Sequence, residues 1–284
     1  MTMARALAFG LALILPGAVA AAQDLADLRP QTDVEPAEAL SFGTQGRSGR
    51  SVFFTFFAGG RAGPPFFGSD EMEFGPSFRG SFAYLNFGDV TFGEDAFDPD
   101  PYERRSGFGY GLAFRFVGER DSSEYDDIRG LDDIDGTLEI GLGFGYAWPN
   151  VEAIADVRYG LGGSDAWVGE ARLFYVARPT DRLALRIGPR VLVGSDNYVD
   201  TYFGVSSAES FRSGLDAFDP DAGLVSAGVE LIATYRLNER WWLEGAAKWE
   251  QFQGDAADSP IVGAGADDRT EVRIGVRRAF VWRF

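Results

Sequence analysis

From Glu271 to Phe284 the chain sorts its residues by parity. Val272, Ile274, Val276, Phe280, Trp282 and Phe284 fall on even positions, whereas Glu271, Arg273, Gly275, Arg277 and Arg283 fall on odd ones. Alternation of this length has the period of a β-strand, and a 3.6-residue helix would scramble it. The same sorting recurs upstream. Phe108, Tyr110, Leu112, Phe114 and Phe116 alternate with Gly107, Gly109, Gly111, Ala113 and Arg115; Leu138, Ile140, Leu142, Phe144, Tyr146 and Trp148 alternate with Thr137, Glu139, three glycines and Ala147. After "WPN" the parity flips, so that Val151, Ala153, Val157 and Tyr159 oppose Glu152, Asp156 and Arg158. Glu170 and Arg172, then Arg182, Arg186 and Arg190, then Glu230 and Arg236, then Glu244, Lys248 and Glu250 continue one small or charged face.

These runs predict strands near 51–60, 74–92, 106–117, 136–148, 151–160, 166–177, 181–194, 226–236, 240–251 and 271–284. Each is about the length that a tilted strand needs to cross a bilayer. A soluble sandwich also alternates, but it turns its polar face outward and encloses the apolar one. The expected fold is therefore all-β, a transmembrane antiparallel β-barrel of about ten strands, with twelve as the alternative if 74–92 is two strands. "WPN", "RPTD" and "LNER" are short enough for periplasmic turns, which leaves 118–135, 195–225 and 252–269 as extracellular loops. The inward charges, Arg79 and Glu271 to Arg277 among them, are mixed in sign and suit pairing across a filled lumen. Arg278 breaks the scheme, because its parity faces lipid.

Composition removes other classes. The net charge of −17, from 43 acidic against 26 basic residues, argues against a nucleic-acid partner. No cysteine is present, so there is neither a disulfide framework nor a thiolate metal site. After residue 22 no apolar run is long enough for a membrane helix, so a closed barrel is the way such a chain inhabits a bilayer. "MTMARALAFGLALILPGAVAAAQ" joins Arg5, an apolar stretch and small residues at 20–22, the form of a cleaved secretory signal. The domains read as a signal peptide at 1–22, a periplasmic tail at 23–50 and the barrel at 51–284.

Candidate chemistry is sparse. "GFGYG" and "GLGFG" lie inside strands with no helix to receive a phosphate, so they are wall glycines. "LDDIDG" fails the calcium-loop spacing, with Leu131 and Leu142 at ligand positions; the acidic loop 118–135 reads as solvated, with casual divalent-ion binding as the alternative. The absence of histidine removes the usual general base of outer-membrane hydrolases. No catalytic residue, cofactor or metal ligand is nominated, and the chain reads as non-enzymatic. Ser206 with Glu209 has capping-box spacing and Gly214 suits a helix end, which predicts a short helix near 207–213.

"TYFGVSSAESFRSGLDAFDPDAGL" (201–224), "ATYRLNERWWLEG" (233–245) and "GDAADSPIV" (254–262), with "FFGSDEMEFGPSFRG" (66–80) and "DIRGLDDIDGTLEIG" (127–141), resemble the MipA/OmpV family of outer-membrane proteins. The motif residues are Tyr202, Phe203, Gly204, Ser213, Gly214, Leu215, Asp255, Asp258, Ser259 and Pro260. The ending "VWRF" departs from a Tyr-x-Phe while keeping the aromatic parity. The resemblance implies an outer-membrane barrel that scaffolds a lytic transglycosylase and a murein synthase; other members imply porin-like, adhesive or stress-linked roles. Phe280, Trp282 and Phe284 are the expected signal to the barrel-assembly machinery, as for outer-membrane barrels in general. The tail from Gln23 to Arg50, with the segment near 93–105, is the expected periplasmic docking segment, its composition suiting order gained on binding.

Overall fold

The computed structural model describes residues 50–87, 90–92 and 107–283, all within the unit Gln45–Phe284. The signal at 1–22, nearly all of the tail, the segment near 93–105 and Phe284 lie outside the described residues. The strands are β1 (Arg50–Gly63), β2 (Glu73–Phe87), β3 (Val90–Phe92), β4 (Gly107–Val117), β5 (Thr137–Trp148), β6 (Val151–Gly162), β7 (Trp167–Thr180), β8 (Leu183–Gly194), β9 (Gly223–Arg236), β10 (Trp241–Phe252) and β11 (Asp268–Arg283). Ten are long and stand where the alternation places them. The stretch 74–92 divides after Phe87, and β3 folds back antiparallel on β2, Val90 opposite Phe87.

All strands join one antiparallel sheet in the order β3-β2-β1-β11-β10-β9-β8-β7-β6-β5-β4. The first and last long strands pair with each other, Phe54 opposite Phe280 and Val52 opposite Trp282. That pairing satisfies the edges of the first and last strands and moves the open edges of the sheet to β3, beside β2, and to β4. The sheet curls until β2 and β4 approach within 8 Å between Cα atoms, with no ladder joining them among the described residues.

The outer face is apolar and exposed, including Phe78, Phe108, Phe116, Leu142, Val157, Ile187 and Ile274. Aromatic pairs bracket it. Tyr146 and Trp148 lie 4.5 Å apart between centroids beside the 149–150 turn, and Tyr159 and Trp167 lie 5.1 Å apart at the opposite ends of their strands. From Val151, level with Trp148, to Tyr159 the climb is about 20 Å at ordinary strand rise and barrel tilt, close to the apolar band of an outer-membrane barrel. No described helix is long and apolar enough to cross a membrane.

Candidate functional site: a filled lumen under a helical cap

Parity puts polar side chains on the inner face, and the curvature brings them within reach of one another. Around the wall runs one connected network of ion pairs. Arg115 on β4 meets Glu139 at 2.8 Å, and Glu139 also takes Arg158 at 2.9 Å. Arg158 contacts Asp156 and Glu170; Arg172 bridges the same two carboxylates at 2.9 and 3.2 Å. Glu170 holds Arg190 at 3.0 Å, and Arg190 reaches Glu250 at 3.4 Å. Glu250, fully buried, also takes Arg269 at 2.8 Å and Lys248 at 3.4 Å, and Lys248 reaches Glu271 at 3.6 Å. Glu230, Arg273, Glu244 and Arg277 complete the belt on β9 to β11. Arg79 shares a register row with Phe57 and Arg277, and its side chain is exposed near the unladdered edge of β2.

Toward the short turns apolar side chains join the charges of the inner face, beside the Arg186–Glu152 pair at 3.1 Å. Phe174, Ile232 and Ala246 form a buried apolar cluster with Ile154 packed on it, and Val176, Ala184 and Trp242 are buried at the same end. Across β4 and β5 the inner positions are Gly109, Gly111, Gly141, Gly143 and Gly145.

The opposite end is closed by the long connections, which fold into four short helices: α1 (Asp196–Phe203), α2 (Ser207–Ser213), α3 (Gly254–Asp258) and α4 (Pro260–Ala264). The expected helix near 207–213 is α2. Ser206 Oγ accepts from the Glu209 amide while Glu209 accepts from the Ser206 amide, and Gly214 takes the left-handed conformation at φ 80°. The spacing did not anticipate α1, α3 or α4. Helix α1 buries Tyr198, Val199, Tyr202 and Phe203 against Phe67, Val168, Leu192, Val225 and Phe252. Tyr198 descends far enough to accept a 2.8 Å hydrogen bond from Arg115, and the Tyr202 hydroxyl donates to Thr137 Oγ1 at 3.3 Å. The cap is thus bonded into the charged belt.

The family-motif residues converge here. Tyr202 and Phe203 are buried, and Gly204 ends α1 with its N–H on the Asp200 carbonyl. Ser259 does two jobs: its hydroxyl donates to the Phe203 carbonyl at 2.6 Å and accepts from Ile261, starting α4 with Pro260 at the first turn. Asp255 accepts from the Asp221 amide, Ser213 accepts from the Leu215 amide, and Leu215 packs on Ile128, Leu131, Val205 and Ile261. Asp258 ends α3 exposed. Phe280 stacks on Phe54 at 5.0 Å, and Trp282 is exposed on the outer face.

The acidic loop 118–135 is folded where a solvated loop was expected. Ile128, Leu131 and Ile134 are buried, and Arg120 pairs through its backbone with Ile134. Gly130, at φ 96°, lets the loop lie on α2, where an added Cβ would meet the Arg212 carbonyl carbon at 2.8 Å. Arg212 binds Asp132, and the Asp132 amide donates to Glu209. Asp133 is held below the usual carboxylate range, first by the Ser122 amide and then by its hydroxyl. Among the described residues no group of three or more Asp, Glu, His or Cys is set to hold a metal ion.

An apolar exterior between aromatic girdles, a first strand laddered to the last and a polar interior define an outer-membrane β-barrel. The chain belongs to the MltA-interacting protein MipA family, whose pattern matches residues 32–280, and the outer membrane is its location. YiaT of Escherichia coli (strain K12), an outer membrane protein by name, is 33% identical over 172 residues, covering 58% of this chain and 65% of YiaT. The MltA-interacting protein of the same organism is 30% identical over 148 residues, 50% of this chain and 57% of the relative. The matches span less than two thirds of each relative's length. Among solved structures, the COG4313 outer membrane channel from Pseudomonas putida F1 aligns at 13% identity with a TM-score of 0.42, over 87% of this chain and 100% of that one.

Proposed function

We propose that this protein is a non-enzymatic membrane-embedded anchor for murein enzymes, with a lytic transglycosylase as its partner, rather than a solute channel. The observation that supports the reading is the inner face, along which a helical cap, an ion-pair belt and an apolar cluster follow one another among the described residues, an arrangement that argues against a wide water path. The name of the MltA-interacting relative supports the partner class. Murein lies on the periplasmic side, where the turns at 149–150, 181–182 and 237–240 offer far less than the roughly 800 Å² per partner of a stable interface. That leaves the N-terminal tail, together with the segment near 93–105, as the docking surface of this reading, with the tail as the part tested first.

The test is a pull-down of a lytic transglycosylase by the full-length mature chain and by a form lacking residues 23–45. Full-length protein is expected to retain the enzyme and the truncated barrel to insert normally but lose it. Equal retention by both forms overturns the tail assignment, and retention by neither overturns the anchor reading. One observation favours a second reading, an outer-face partner: Phe211 stands 92% exposed on α2. Loss of surface adhesion in Phe211→Ala, with no enzyme retained by either form, would support it.

A further inference from the structure

We infer that Arg278 and its two aromatic neighbours form a site for the phosphate of a phospholipid headgroup in the periplasmic leaflet. Arg278 projects from the outer, lipid-facing side of β11, between the exposed Ile274 and Val276 above and the aromatic end of the strand below. A lone arginine at the bilayer midplane costs about 2–4 kcal/mol, falling to near zero at the interfaces. The register fixes its depth. Arg278 pairs with Trp241, the first residue of β10, which directly follows the short turn 237–240. It therefore lies level with the periplasmic rim of the neighbouring β9–β10 hairpin, at headgroup level.

The side chain is also prepared. Its guanidinium carbon stands 4.9 Å from the ring centroid of Trp241 and 4.9 Å from that of Phe280, which hold a cation by their faces. Ring contacts engage its flat face, and among the described residues no carboxylate lies within 4.0 Å of its in-plane N–H fork. A planar fork fits two phosphate oxygens. On the other side β1 sets Phe56 level with Arg278, and Phe56 stacks at 6.1 Å on Phe78, which lies two rows further toward the membrane interior, so the pair forms a wall running from headgroup to acyl chains. Charge, depth and the apolar wall select a membrane phospholipid over a free anion.

The test counts lipids retained by the full chain in native mass spectrometry, after delipidation and addition of phosphatidylglycerol, of diacylglycerol, or of inorganic phosphate. Wild type is expected to keep one phosphatidylglycerol that Arg278→Gln loses with about tenfold weaker retention, Arg278→Lys falling between. Neither diacylglycerol nor inorganic phosphate should be retained. Heat-modifiable migration identifies folded variants, and the comparison uses only those; should Arg278→Gln not fold, Trp241→Leu serves with the same expectation. Equal phosphatidylglycerol retention by wild type and variants overturns the proposal. So does equal retention of diacylglycerol, which makes the site merely apolar, or retention of inorganic phosphate. A change in oligomeric state without a change in lipid also overturns it, because the fork then serves a second copy.

Discussion

Glu250 shows what the lumen asks of a single side chain. It is buried beneath Arg190, Lys248 and Arg269, and Ser226 Oγ donates to it at 3.1 Å. An isolated buried carboxylate is costly, but with its partners in place the desolvation is offset by three cations. Removing it takes from Arg269 its carboxylate partner and leaves Arg190 to Glu170 and Lys248 to Glu271, in a poorly hydrated interior. Glu250→Ala is expected to lower barrel stability by about 3–5 kcal/mol, and Glu250→Gln by less because the amide oxygen still accepts. Urea unfolding in lipid vesicles, followed by the loss of heat-modifiable migration, measures both; a change below about 1 kcal/mol for the alanine variant would mean that the belt relaxes around the loss. Most charges of this belt were legible in the sequence because a lumen and a lipid face differ in chemistry, so parity sorted them; Arg269 was not, since the last strand begins at Asp268, inside what read as the loop 252–269. Phe174, Val176 and Trp242 were not, since "LFYV" and "WWL" are apolar on both faces and the period vanishes. One ring partner of Arg278, Phe280, was visible two residues along the same face, whereas Trp241 was hidden because it joins only through the β10–β11 register.

The cap is the element whose stability should respond to pH. Burial opposes the charge on Glu209, but the Asp132 amide and the Ser206 hydroxyl and amide outweigh it and hold its pKa below the usual value. A depressed folded pKa gives stability that is present above the ordinary glutamate pKa and lost as pH falls through the lower, folded value. Asp133 acts in the same direction. Asp200 opposes them, raised by burial and by the nearby Asp219 and Glu209 carboxylates, so acidification relieves it. Two losses against one gain predict that the contact between α2 and the 118–135 loop loosens below about pH 4. Hydrogen exchange, corrected for intrinsic rates, should show falling protection in 118–135 and 207–213 there, with Glu209→Gln flattening the response. Unchanged protection in wild type would place the stability of the contact in Ile128 and Leu131 instead. At neutral pH Ser206→Ala should cost about 1 kcal/mol through the lost cap. Of these helices only α2 carried a complete signature in its sequence. Ser259 and Pro260 were a start signal for α4 that was available, and apolar 198, 199, 202 and 203 were one for α1. What no local window contains is the surface α1 covers, since the lumen mouth is assembled from β7, β8, β9 and β10.

At the scale of the molecule, the cap, the belt and the apolar cluster rest on largely different residues and are joined where Arg115 donates to Tyr198. The cap is apolar and helical, the belt consists of ion pairs around eight strands, and the inner layer near the short turns rests on Phe174, Ile232 and Ala246. Barriers in series mean that removing one leaves the others in the path. Purified protein in planar bilayers is therefore expected to show no stable porin-sized conductance. Replacing 196–213 by a short linker should leave it nearly as closed, because Arg115 to Arg277 still fill the section below, although Arg115 loses the Tyr198 hydroxyl. Heat-modifiable migration checks that the shortened chain has folded. A large, reproducible conductance in the wild type would reverse the ranking of anchor over channel. A large conductance only in the shortened chain would make the cap the sole barrier, and the ion-pair belt would then have to be a hydrated ring that passes ions along its charges.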